Sequence, residues 1–100
     1  MGSRLDLHNE LLKFVPNAYF QPPSNVQLIY PCIVYHKNSK DSSNANNKKY
    51  RSMQGYRLTL IEKKPDSPLA DNIENGFDHC SIESYYTMDG LNHTTLNLYF

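Results

Sequence analysis

The residue types that nucleophilic, acid–base or metal chemistry would need are sparse in this chain: two cysteines, four histidines and ten acids. Thiol, imidazole and carboxylate adjoin once, at Asp78-His79-Cys80, which holds the components of an activated thiol nucleophile. Adjacent residues of a strand point to opposite faces, however, so His79 and Cys80 could not readily share a proton, and catalysis is not expected there. His8, His36, His79 and His93 are scattered, and none stands at a recognised zinc spacing from a cysteine or an acid. The chain has only four glycines, no glycine-rich phosphate loop and no convincing carboxylate pair. The expectation is a protein that is not an enzyme, with no catalytic residue, no metal and no cofactor.

Charge is more informative than chemistry. Residues 36–54 form a polar tract whose basic side chains are Lys37, Lys40, Lys48, Lys49 and Arg51, with Tyr50 among them and Asp41 the one acid. A polar insertion of this length is uncommon in a compact domain unless it is functional or mobile. It reads as a mobile hairpin arm that a neighbour orders, or as an inconsequential surface loop. Acids prevail later, where Asp66, Asp71, Glu74, Asp78 and Glu83 occur without an intervening Lys or Arg. Such separation of signs in a chain of zero net charge suits head-to-tail contact between copies, the basic arm of one meeting the acidic surface of the next. The competing reading is two solvated faces. Contacts of the heterologous kind close into rings when the rotation permits. Eight tyrosines add side chains favoured at interfaces, Tyr50 being the one expected at a contact.

Composition bounds the architecture that must carry these features. One hundred residues, 39% hydrophobic and 20% charged, are a single globular domain, residues 1–100, near the lower size limit for a useful core. Zero net charge argues against an electrostatically driven nucleic-acid binder. No run approaches the roughly 18 apolar residues of a membrane span and no signal segment opens the chain, so a soluble, unsecreted protein is expected. Asp6 stands where a myristoylation motif wants Ser or Thr, and Gly2-Ser3 reads as an expression scar or a frayed terminus. Two cysteines are too few for a disulfide framework and fit a reducing compartment. Whether Cys32 and Cys80 pair depends on whether their strands are neighbours.

Leu5, Leu7, Leu11, Leu12 and Val15 recur at helical spacing opposite Asp6, Asn9, Glu10 and Lys13, which predicts an amphipathic helix ended by Pro16-Asn17. Residues 17–35, NAYFQPPSNVQLIYPCIVY, join two strand-like runs through the Pro22-Pro23 corner, with a second break at Pro31. The run 32–35 is apolar on both faces, as in a central strand. Tyr56, Leu58 and Leu60 alternate with Arg57, Thr59 and Ile61 in a half-buried strand that Lys63-Lys64-Pro65 closes. Ser67 is placed as N-cap and Pro68 as first helical residue, with Leu69, Ile73 and Phe77 on one face before Asn75-Gly76. Strands 80–87 and 91–100 meet at Met88-Asp89-Gly90, with Leu96, Leu98 and Phe100 facing one way. The expected fold is α+β: two helices on one face of a mostly antiparallel sheet of four to five strands, in the order α-β-β-β-α-β-β.

An N-terminal helix, then Y-F-Q-P-P at 19–23 and Y-P-C-I-V-Y at 30–35, resembles small neck proteins of long-tailed bacteriophages. YRLTLI at 56–61, Pro65-Asp66-Ser67 and the closing residues 91–100 agree, so the likeness spans residues 4–100. That group comprises the tail-terminator, tail-completion and minor capsid proteins, which build rings between head connector and tail tube. The resemblance implies the same element order and a structural virion protein at the head–tail junction, made in the host cytoplasm. Tail terminator is the first expectation, and another neck component, head-closure or adaptor-associated, the second. Implied partners are further copies in a ring, a hexamer in the virion, with the tail-tube and head-connector proteins, and no membrane. The basic arm would touch the adjacent subunit or passing DNA. Addition of a neighbour's strand to an open sheet edge is the expected bonding mode. Outside the structural class, the arm's lysines and Tyr50 suggest a small nucleic-acid-binding module whose affinity would fall steeply with salt.

Overall fold

The computed structural model describes residues 3–40 and 54–100. Its elements follow the expected order: α1 (Arg4–Leu11), β1 (Asn17–Phe20), β2 (Cys32–Lys40), β3 (Gln54–Glu62), α2 (Leu69–Gly76), β4 (Cys80–Met88) and β5 (Leu91–Tyr99). The strands make one sheet in the order β1-β2-β3-β5-β4. Every pairing is antiparallel except that of β1 with β2. The α+β class and the two-helices-on-one-face arrangement hold.

Strand alternation explains which face the helices cover. Register brings Ile33 beside Leu60, Tyr35 beside Leu58, Leu58 beside Leu96 and Tyr56 beside Leu98, so these side chains share one face. Leu7, Leu11 and Val15 after α1, and Ala70 and Ile73 of α2, complete the cluster. Phe77 and Phe100 pack against it edge to face, their ring centroids 6.1 Å apart.

The N-terminus corrects one expectation. Ser3 is not a frayed end: its hydroxyl accepts from the Asp6 N–H, and the Asp6 carboxylate accepts from the Ser3 N–H. This reciprocal box satisfies amide hydrogens that the first helical turn leaves without partners. The apolar stripe of α1 is also narrower than expected. Leu7, Leu11 and Val15 are buried, whereas Leu5 and Leu12 are exposed at 62% and 41%. A spacing of four keeps the buried three over the sheet, while Leu5 lies around the helix and Leu12 caps its end.

Of the second strand-like run in residues 17–35, the part after Pro31 begins β2, and the part before it, with Val26, Leu28 and Tyr30, is not strand. Residues 21–31 form an irregular crossover between the parallel strands, and Val26 and Ile29 are exposed. Its backbone is held by side chains: Asn17 Nδ2 donates to the Ile29 carbonyl at 3.1 Å, and the Ile29 N–H donates to the Tyr19 hydroxyl at 3.2 Å. Asn17 and Tyr19 share a face with Cys32 and Val34 opposite the helices, so the crossover lies over that face. β-propensity without a strand partner does not make a strand.

Boundaries shift slightly at α2. Pro68 is its N-cap, one residue beyond the expected Ser67, yet the Ser67 hydroxyl still accepts the Leu69 N–H at 3.1 Å. Gly76 falls inside the helix because the Phe14 ring lies against it, where an added Cβ would meet the ring at 2.5 Å. Asp89 and Gly90 have φ of 55° and 74°, the two positive values that the tight β4–β5 hairpin demands.

Candidate functional site

The two edges of the sheet are unlike. β1 is four residues long, with Pro16 before it and Pro22-Pro23 after, so little of it can pair with another strand. β4 is nine residues long and pairs only with β5. Tyr85, Tyr86 and Met88 on it are 68%, 42% and 50% exposed, the largest run of exposed apolar side chains on one strand among the described residues.

Two devices restrain the first half of that edge. A register shift between Ile82 and Ser84 makes a bulge at Glu83. The Ile82 N–H donates to the Glu74 carboxylate of α2 at 2.9 Å, which occupies the donor a foreign strand would need. Glu83 itself reaches Arg57 across β5, with 3.1 Å between nitrogen and oxygen. Beyond the bulge, Ser84 and Thr95 hydroxyls lie 2.6 Å apart and Tyr86 stacks on His93 at 4.7 Å and 14°. The second half is therefore held flat against β5 while its outer edge stays uncovered.

The acidic residues predicted to form one surface are dispersed. Asp66 is exposed in the β3–α2 loop, Asp71 lies in the first turn of α2, and Asp78 follows that helix, exposed. Glu74 is committed to Ile82, and Glu83 to Arg57 on the face away from the helices. On the basic side, Lys37 is an exposed β2 residue and Lys40 pairs by backbone with Gln54. Residues 36–40 and 54 thus belong to the sheet, and Lys48, Lys49, Tyr50 and Arg51 lie outside the described residues. The strong edge residues Tyr85, Tyr86 and Met88 were missed because SYYTM reads as ordinary strand; only its failure to alternate with charge hints that one side is unburied.

The thiols are poorly placed for chemistry. Burial pushes Cys32 up to about 11, and burial together with the Glu74 carboxylate pushes Cys80 up to about 11, so both are protonated at neutral pH. Both are free. β3 and β5 separate their strands by roughly 14 Å at about 4.8 Å per step, and the register, with Cys32 level with His93 and Cys80 with Leu98, sets them further apart along the sheet, too far to bridge. His79 is exposed in the turn before β4. Among the described residues, no three His, Cys, Asp or Glu side chains gather as metal ligands would.

No family model, curated protein or solved structure matches the chain. No helix among the described residues is long and apolar enough to cross a membrane.

Proposed function

We propose that this chain is a non-enzymatic structural subunit that assembles through the open edge of β4. The observation that carries this reading is the exposure of Tyr85, Tyr86 and Met88 along a nine-residue strand with one partner. Unpaired strand edges template addition of another strand, and native proteins usually blunt them. Here only the half next to Glu74 is blunted. Tyrosine and methionine are also side chains enriched at interfaces.

The sequence likeness to bacteriophage neck proteins gives this assembly its setting: a ring at the head–tail junction, tail terminator in the first place and another neck component in the second. The short β1 edge and long β4 edge make the subunit's two sides different, as a head-to-tail ring requires. Phage tail-tube and head-connector proteins would then meet the ring's two ends.

Light scattering on the purified protein across concentration tests it. The expected result is a discrete ring mass that Tyr85→Lys with Met88→Lys reduces to monomer without loss of fold. A strict monomer at every concentration, alone and with tail-tube protein added, overturns it.

A further inference from the structure

A cavity of about 250 Å³ opens where the end of β3, the start of α2 and the second half of β4 converge. Glu62, the last residue of β3, lines it. It stands on the helix-covered face by alternation with Leu58 and Leu60, and it is 8% exposed. A charged residue this buried normally has a cation or several donors beside its carboxylate. Here the ion pairs among the described residues are Lys13–Glu10 and Arg57–Glu83, and no hydrogen bond reaches the Glu62 side chain.

The other walls have matching chemistry. Asp71, in the first turn of α2, brings a second carboxylate. Tyr85, paired with Thr94 on the helix-covered face, brings an aromatic ring. Carboxylates with a tyrosine face favour a cationic nitrogen group, through charge-assisted hydrogen bonds and cation–π attraction. Lys64 also borders the cavity, but it is exposed and lies more than 4.0 Å from either carboxylate, since no such ion pair forms. The volume lies below the roughly 300–1,000 Å³ of pockets for drug-sized ligands and suits the end of one long side chain.

We infer that this cavity receives the guanidinium or primary ammonium of a protein side chain, with Glu62 as its principal counter-ion. Glu62 and Asp71 fix the charge, and Tyr85 flanks the incoming stem. The inference does not depend on ring formation.

N-acetyl-arginine amide and N-acetyl-lysine amide, titrated into the protein and followed by NMR, are the probes, with N-acetyl-glutamine amide as the neutral control. The expected result is saturable shifts of the Tyr85 ring and of residues 69–71 with the cationic probes alone. Glu62→Gln, nearly isosteric, should weaken binding about tenfold or more, as loss of a buried charge pair does. Asp71→Asn and Tyr85→Ala change exposed residues and should each weaken it several-fold, which keeps the test valid if Glu62→Gln fails to fold. The same shifts on raising protein concentration alone would support the inference with a second copy as the source. No saturable shift, or equal binding by Glu62→Gln, overturns it. So does stability coupling between Glu62→Gln and Lys64→Gln, because Lys64 would then be the partner of Glu62.

Discussion

The Tyr35 hydroxyl lies 2.7 Å from Nδ1 of His8, and this part-buried bond ties α1 to β2 at the margin of the core. Tyr35 is fully buried, its ring 5.1 Å from that of Phe20 and 6.1 Å from that of Tyr56. Arg4 reaches the same hydroxyl at 3.5 Å and lies over the Phe20 ring at 4.4 Å. One polar atom inside an aromatic cluster thereby fixes the helix against the sheet.

Tyr35→Phe keeps the packing and removes that atom. It should cost about 1 kcal/mol, the net worth of a typical hydrogen bond. Tyr35→Ala should cost about 3–5 kcal/mol by opening a cavity. Urea unfolding of both variants checks the ratio, and an unchanged midpoint for Tyr35→Phe would show that the hydroxyl contributes nothing.

Glu74 accepts the Ile82 N–H at the bulge of β4. Replacing it with Ala leaves that donor unpaired and removes the carboxylate that guards the edge. The expected loss is about 2 kcal/mol, as for hydrogen bonds to charged groups. Concentration-dependent association should rise as well, measurable by light scattering beside the unfolding curve. Stability lost with no change in association would confine Glu74 to a packing role.

Gly76 sits where the Phe14 ring closes on α2. Alanine is the better helix former by about 1 kcal/mol, yet Gly76→Ala should be destabilising by about 1–2 kcal/mol because Phe14 must move. Phe14→Leu in the same chain should recover part of the loss. A double-mutant cycle measures this coupling, and additive effects would mean that the ring yields freely.

Cys32 and Cys80 titrate near 11 in the fold against an ordinary 9.0. Between those values the unfolded chain has released protons that the folded chain still holds, so stability falls as pH rises. Their contribution is intact below about pH 9 and is lost through pH 11. For fully buried Cys32 the loss is on the order of 2–3 kcal/mol. Thermal unfolding of Cys32→Ala should therefore decline less steeply over that window than wild type. Parallel decline would leave the thiol without a part in alkaline unfolding.

Periodic elements were legible because their residues bury the same faces in any arrangement. Tyr56, Leu58 and Leu60, and Leu96, Leu98 and Phe100, alternate so that each strand presents a continuous apolar face. Asp89-Gly90 fixed the last hairpin because both residues accept positive φ. Residues 26–30 have strand-like composition yet stay outside the sheet for the converse reason. Their strand-like composition is a local preference, whereas pairing depends on which backbone lies alongside, and there the Asn17 and Tyr19 side chains took that place.

Local chemistry in the sequence thus determined the class of fold and the element order. Tertiary structure alone decided which acids act together. Between positions 66 and 83 the five acids look like one patch, but the sheet order sends Glu83 across to Arg57 and turns Glu74 toward Ile82. It also brings Glu62, an unremarked strand-end residue, into a cavity with Asp71 and Tyr85 of β4. Burial and charge pairing depend on distances through space, and the strand order β1-β2-β3-β5-β4 sets those distances among residues far apart in the chain.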